Sequence, residues 1–290
     1  MLEIASRNVI RRTVEVKNQE EIQFLLLSDA HWDNPKCDRE TLKNDLNEAV
    51  AKGMRILING DLFCVMQGKY DPRRSKKDIR PEHNVAQYLD EVVEDAARWF
   101  APYANHIDFV GYGNHETAIL KNVETDLIER FVTLLNTKTT GGHRVMKGGY
   151  SGFYVVQMNR GQTSKSFILK YHHGFGGGGP VTKGTIQHNR FATYVEGVDC
   201  IWMGHVHEDY ELTYMKEKLD NKFNIVQFPV LMVRSASYKE EFAFGEGGFH
   251  LEKGRPVKPV GSRILTLKFE RNKKKGIEEN RILARSTKTW

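Results

Sequence analysis

Five short apolar runs, each followed by a side chain that can bind a metal ion, constrain this fold more than any other feature of the sequence. Runs of four to seven residues bounded by Gly or Asp are typical of strands that are covered on both faces. The runs span residues 22–28, 55–59, 107–111, 167–171 and 200–203. They predict a largely buried β-sheet core.

Helical patterns separate these runs. Asp38 is a candidate N-cap for one helix, and Pro81 is suited to the first turn of another. The predicted helices cover residues 39–52, 82–100, 123–135 and 186–195. Alternating strands and helices indicate an α/β fold, and we expect residues 1–290 to form a single domain. We predict a further strand at 264–269, followed by a charged, partly disordered stretch.

The polar residues after the runs fall into short motifs. In open α/β sheets, ligands bind beyond the carboxyl ends of the strands, so these segments are expected to meet in one cleft. An Asp-x-His string alone is weak, because Asp and His also cap turns. Five such segments behind five apolar runs are much harder to explain as surface decoration. The candidate residues are Asp29, His31, Asp61, Asn114, His115, Glu116, His172, His173, His205 and His207.

The ordered strings DAH, GD, GNHE, HHG and GHVH resemble the motifs of the calcineurin-like metallophosphoesterase family. The resemblance extends from Asp29 to His207, which is most of the chain. It implies an α/β, four-layer metallophosphoesterase sandwich, in which two mixed β-sheets are flanked by helices.

The resemblance also implies two divalent metal ions and a division of the ligands between them. Mixed nitrogen and oxygen ligands suit Mn²⁺ first, with Fe²⁺, Zn²⁺, Ni²⁺ and Co²⁺ as alternatives, and are too rich in nitrogen for Ca²⁺ or a typical Mg²⁺ site. One ion would take Asp29, His31 and His207, the other Asn114, His173 and His205, and Asp61 would bridge both.

The adjacent His172 and His173 leave one ligand ambiguous. Neighbouring side chains on a strand point to opposite faces, so only one of the two can easily bind the metal. We choose His173 because the family's ligand often directly precedes a Gly, and Gly174 follows here. The glycine-rich segment 174–179 either approaches a ligand closely or allows a loop to move, and the sequence does not separate these alternatives.

For the reaction, the resemblance implies that a hydroxide bridging the two metals attacks phosphorus in line with the leaving oxygen. His115 is then the candidate general acid for the leaving group. Glu116 is the candidate partner that orients it.

The substrate is predicted from fewer residues. Phosphoprotein phosphatases of the family carry Gly-Asp-x-Val-Asp-Arg-Gly, but this chain has GDLFCVM and lacks that Arg. The string GDLF is similar to the DNA-repair nuclease branch, and the net charge of +6 favours an anionic partner such as DNA or RNA. We therefore expect phosphodiester hydrolysis. The alternatives are a phosphomonoesterase or phosphoprotein phosphatase, and a non-catalytic nucleic-acid-binding scaffold.

A basic segment, residues 69–80, follows that motif and has Lys or Arg at six of its twelve positions. It is either a solvated surface loop or a contact for the phosphate backbone. In the second case Arg73, Arg74 and Lys76 would bind substrate.

The three cysteines, Cys37, Cys64 and Cys200, are scattered and odd in number. This pattern argues against a disulfide framework and favours a reducing compartment. The sequence shows neither a signal peptide nor an apolar run of about 18 residues that would span a membrane. We expect a cytoplasmic protein with no membrane contact, and homo-oligomers are compatible with the sequence.

Overall fold

The described part of this computed structural model comprises residues 1–65, 78–240, 254, 256–274 and 277–290. Within it the chain forms thirteen strands and five α-helices. The strands are β1 (Leu2–Ser6), β2 (Val9–Glu15), β3 (Glu21–Leu27), β4 (Arg55–Ile58), β5 (Ile107–Val110), β6 (Met146–Lys147), β7 (Ser151–Arg160), β8 (Thr163–His172), β9 (Cys200–Met203), β10 (Tyr210–Leu219), β11 (Ile225–Arg234), β12 (Arg263–Lys274) and β13 (Ile277–Lys288). The helices are α1 (Arg39–Ala51), α2 (Tyr88–Phe100), α3 (Asn114–Val123), α4 (Leu127–Asn136) and α5 (Thr185–Tyr194).

The strands form two mixed sheets. The seven-stranded sheet has the order β1-β2-β7-β8-β9-β11-β10, and the six-stranded sheet has the order β13-β12-β3-β4-β5-β6. Strands β3, β4 and β5 run parallel to one another, and so do β8 and β9. Each parallel set therefore presents its carboxyl ends at one edge of its sheet.

The alternation of side chains along β3 shows how the layers are built. Leu25 and Leu27 pack in a core shared with α1, α2 and α4, whereas Phe24 and Leu26 pack in a second core between the two sheets. A third core lies under α5, where Phe191 joins residues of β9 and β11. The order helices, sheet, sheet, helix confirms the predicted four-layer sandwich with two mixed sheets flanked by helices.

The structure differs from the predicted elements at several positions. Residues 82–100 do not form one helix: a 3₁₀ turn, Pro81–His83, precedes α2, because the buried His83 ring turns inward to pair with Asp95 at 3.0 Å. Helix α3 begins within the Gly-Asn-His-Glu motif, where no helix was predicted. The charged tail is an ordered strand, β13, which pairs with β12 along its length.

Asp108, on β5, connects the two sheets. Its side chain is fully buried and accepts hydrogen bonds from Arg12 on β2, Arg55 on β4 and the Tyr154 hydroxyl on β7. The Arg55 contact measures 2.7 Å. A buried carboxylate is tolerated only when its charge is compensated, and here two guanidinium groups do so.

We predict that Asp108→Ala lowers the free energy of unfolding by about 3 kcal/mol, because two partly buried cations would lose their partner. Urea denaturation monitored by circular dichroism measures the loss. The matched control is Glu3→Ala, which breaks the exposed pair with Arg11 and should cost less than about 1 kcal/mol. Equal losses for the two variants would show that Asp108 contributes no more than a surface charge.

Candidate metal centre

The loops that follow β3, β4, β5, β8 and β9 converge at one edge of the sandwich. Within the six-stranded sheet, the backbone N–H of His31 donates to the Asp61 carbonyl. Between the two sheets, the backbone N–H of His205, which follows β9, donates to Oδ2 of Asp29, which follows β3, at 2.8 Å. The two sheets thus contribute to a single cluster of polar side chains.

One group of potential ligands contains Asp29, His31 and His207, whose ligand atoms lie within 4.8 Å of one another. Asp29 Oδ1 lies 3.4 Å from His207 Nε2, and His31 Nε2 lies 3.3 Å from the same nitrogen. This is the set expected for the first metal ion.

A second group contains Asp61, His173 and His205, again within 4.8 Å. His173 Nε2 lies 3.1 Å from Asp61 Oδ2 and 3.2 Å from Asn114 Oδ1. The residues expected for the second ion and for the bridge therefore lie together.

The donor atoms fit divalent cations. Asp29 Oδ1 is buried and has no hydrogen-bond partner, which is costly for a carboxylate oxygen unless a cation compensates it. His173 Nδ1 donates to the Asn59 carbonyl at 2.9 Å, so its Nε2 is left to face the cluster. Such a hydrogen bond commonly orients a metal-binding imidazole.

The electrostatics of the cluster centre on its two buried carboxylates. Burial alone raises the pKa of Asp61, but the neighbouring His173 and His115 outweigh it and hold this pKa well below its usual range. Burial alone lowers the pKa of His173, yet Asp61 and Asp29 raise it to about 10. The two carboxylates therefore favour the protonated form of His173. A bound cation would displace that proton.

For two other rings of the cluster, burial outweighs the effect of the nearby carboxylates. It lowers the pKa of His31 well below the ordinary value, and the nearby His115 acts in the same direction. It also lowers the pKa of His205. Both rings are therefore held neutral, which is the state in which imidazole binds a metal.

The backbone at the cluster is strained. Left-handed φ angles occur at Asp29 (52°), His31 (46°), Asp61 (47°), His205 (73°) and His207 (54°). Side chains other than Gly rarely adopt this region, and such residues persist where the surrounding structure enforces them. The sequence motifs contain no direct sign of these turns.

Two glycines make the close packing feasible. A Cβ on Gly60, which has φ of +77°, would come within 2.6 Å of His173 Nδ1. A Cβ on Gly174 would come within 2.6 Å of His205 Cβ. Gly174 is therefore needed for close approach to a protein side chain, and His205 Nε2 lies 2.9 Å from the Gly176 carbonyl.

The structure separates the two adjacent histidines. The His173 ring lies in the cluster and is fully buried, whereas His172 points to the other face of β8. His172 Nδ1 accepts the Gly174 N–H at 2.9 Å, and its ring packs edge-on against Phe191 with centroids 4.8 Å apart. Of these two rings, that of His173 lies in a group of candidate ligands, and its role as a ligand stays a prediction.

His115 and Glu116 occupy different environments although they are adjacent. His115 Nε2 lies 3.8 Å from Asp61 Oδ2, and its Nδ1 donates to the Cys64 carbonyl. Glu116 was expected to orient this ring, but the backbone carbonyl of Cys64 is the group that orients it.

Glu116 instead joins the start of α3 to the turn after β4. Its carboxylate accepts the backbone N–H groups of Asp61 at 3.1 Å, Phe63 at 2.9 Å and Gly113 at 2.8 Å. Burial raises the pKa of Glu116 to about 8, and the negative charge of Asp61 adds to this effect. Glu116 thus positions the Gly-Asp turn.

Arg234, on β11, is a site residue that the sequence reasoning missed. It is fully buried and donates to the carbonyls of Gly204 and Gly184 and to Gln187 Oε1 at 2.8 Å. These bonds hold the Gly-His-x-His turn against the start of α5. No motif indicates this role, because Arg234 ends an otherwise apolar strand. Arg73, Arg74 and Lys76 lie outside the described residues.

Known proteins that match this chain are found only among solved structures, and at low sequence identity. No protein-family model matches the sequence, and no curated protein matches it. Vacuolar Protein Sorting 29 from Cryptosporidium parvum is 10% identical over 92% of this chain and 99% of its own, with a TM-score of 0.36. GAP50, described as the anchor in the inner membrane complex of Plasmodium, is 11% identical over 93% of this chain and 90% of its own, with a TM-score of 0.45.

A Thermotoga maritima protein solved by NMR is also 11% identical, over 90% of this chain and 98% of its own, with a TM-score of 0.30. No activity, ligand or partner is transferred to this chain from these proteins. In the described part of the chain, every helix falls short of the length and apolar character needed to cross a bilayer.

We predict that His173→Ala lowers the metal content of the Mn²⁺-loaded protein from about two ions per chain to about one, because the second ion would lose a buried ligand. Plasma mass spectrometry after gel filtration measures this content. His172→Ala is the matched control, since its ring lies outside the cluster. Equal metal loss in both variants would contradict the assignment of His173.

Proposed function

We propose that this protein is a dinuclear metal-dependent phosphoesterase that hydrolyses phosphodiester bonds of nucleic acid or nucleotides. The observation that carries the proposal is the pair of buried ligand groups, one with Asp29 and one with Asp61, at the carboxyl ends of five strands. Two buried carboxylates and two neutral imidazoles, held by a strained backbone, cost stability. Such features concentrate at functional sites.

The first ion would be held by Asp29, His31 and His207. The second would be held by Asn114, His173 and His205, with Asp61 between them. When bound, the two cations would polarise the phosphoryl group and lower the pKa of water, with Mn²⁺ as the first choice of metal.

His115 would deliver a proton to the leaving oxygen. Its Nδ1–H is fixed on the Cys64 carbonyl, so Nε2 is the atom that faces Asp61. The backbone N–H of His115 also donates to Asp61 Oδ1 at 3.0 Å. This bond would keep the proposed general acid, His115, next to the carboxylate that would lie between the two metal ions. Glu116 acts in this scheme by positioning the turn that carries Asp61.

The preference for a diester is supported by sequence. The Arg with which the family's phosphoprotein phosphatases grip a phosphate monoester is absent after Gly60-Asp61, and the net charge is +6. DNA or RNA is the proposed partner, with Arg73, Arg74 and Lys76 as its phosphate contacts. The three cysteines are free and buried, which supports a reducing, cytoplasmic location.

With Mn²⁺, we expect bis-p-nitrophenyl phosphate to be hydrolysed with a kcat/KM at least about tenfold above that for p-nitrophenyl phosphate. Asp61→Asn is the negative control, since it removes the charge between the two metal positions. Preference for the monoester would favour the phosphomonoesterase alternative. No turnover of either ester would favour the non-catalytic scaffold.

His115→Ala should lower kcat for the diester by about 10²–10⁴-fold while leaving metal content unchanged, because this ring would donate a proton and hold no ion. Stopped assays and metal analysis on the same sample measure both quantities. His106→Ala is a matched control, since His106 precedes β5 at the end opposite the site. Loss of metal in His115→Ala would make His115 a ligand.

A further inference from the structure

Side chains from outside the glycine-rich segment 174–179 hold its first residues in place. The Tyr150 hydroxyl donates to the Gly174 carbonyl at 2.8 Å. The side-chain amide of Gln187, on α5, donates to the Phe175 carbonyl. Two consecutive carbonyl groups are therefore bonded to separate parts of the fold, so the chain has one defined path at this point.

Glycine makes this path possible at two positions. Gly174 has φ of +128° and Gly176 has φ of +66°, angles that residues with a side chain rarely adopt. Because their carbonyl groups are hydrogen-bonded, these two glycines serve a fixed turn.

Gly176 accepts a hydrogen bond from a candidate metal ligand. Its carbonyl oxygen lies 2.9 Å from His205 Nε2, and a carbonyl only accepts, so Nε2 carries the proton. The lone pair that can bind a cation is then on Nδ1. A ligand atom of His205 lies within 4.8 Å of ligand atoms of Asp61 and His173. The Gly176 carbonyl therefore favours the tautomer and ring orientation that a metal ion bound by these residues would need.

Gln187 can hold the turn in one orientation of its amide only. The residue is buried, and its Oε1 accepts from Arg234 Nη2 at 2.8 Å. Because a guanidinium only donates and a carbonyl only accepts, Oε1 must face Arg234 and Nε2 must face Phe175. Glutamate at this position would keep the contact with Arg234 but would set a second acceptor against the Phe175 carbonyl.

We propose that Gln187 is a positioning residue for the second metal ion. It acts through the backbone, because Gln187 fixes Phe175 and the adjacent Gly176 carbonyl fixes the His205 ring. The inference rests on the proposed metal centre. The first metal ion would be held by a different group of side chains, so its affinity should not depend on Gln187.

The experiment is titration of the full-length, metal-stripped protein with Mn²⁺, with free Mn²⁺ measured by electron paramagnetic resonance. We expect Gln187→Glu to lower the affinity for the second ion by at least about tenfold and to leave the affinity for the first ion unchanged. The matched control is Asn189→Asp on the same helix, since Oδ1 of residue 189 keeps its hydrogen bond from the Tyr214 hydroxyl. This control should bind both ions as the wild type does.

The variant His173→Ala identifies which position responds. It is expected to hold one ion, and adding Gln187→Glu to it should leave the affinity for that ion unchanged. A merely structural role of Gln187 would weaken the binding of this ion as well. In the metal-free wild type, the nitrogen-15 chemical shifts of the His205 ring should show the proton on Nε2.

The outcomes separate the two proposals. Equal affinities for the second ion in the wild type and Gln187→Glu, or a proton on His205 Nδ1, would overturn the positioning role and leave the metal centre intact. Weaker binding of the remaining ion in the double variant would overturn it as well. Failure of the wild type to bind Mn²⁺ would overturn both. Thermal unfolding of each variant checks folding, and Gln187→Met, which adds no charge, repeats the test if Gln187→Glu is unfolded.

Discussion

The burial of two carboxylates at one edge of the sandwich is the constraint on which the rest of this structure depends. Asp29 and Asp61 are each almost inaccessible to water, and each would be strongly destabilising without compensation. Backbone N–H groups of His205 and His115 compensate one oxygen of each carboxylate. His173 carries a raised pKa because it faces both carboxylates. The remaining demand for positive charge is one that metal ions bound at these groups would meet.

Holding these groups in place requires a rigid and strained frame. The left-handed turns at the candidate ligands need neighbours that enforce them, and buried hydrogen bonds provide this support. Glu116 fixes the turn after β4 through three backbone N–H groups, and Arg234 fixes the turn after β9 through two carbonyls. Asp108 adds to this support from outside the cluster, because it joins the two sheets whose edges carry the candidate ligands.

Much of the fold followed from local patterns. The strand at residues 200–203 was predicted with its observed ends. The helix predicted at 39–52 ends one residue earlier in the structure. Both predictions rest on local signals, an apolar run and the Asp38 cap. The long β10–β11 hairpin and the ordered β13 were missed. The charged sequences of β10 and β13 become strands only through pairing, as in the cross-strand ion pair of Arg281 with Glu270.

For the site, the sequence alone determined which residues can bind metal and that they follow strands, since residue type and hydrophobic runs are properties of the chain itself. Only the tertiary structure decided which of them meet. It brought Asp29 of one sheet against His205 of the other, turned His173 inward and His172 outward, and placed the thiol of Cys64 beside His31. These contacts join residues distant in sequence, and their geometry depends on sheet pairing and backbone strain, which no local motif encodes.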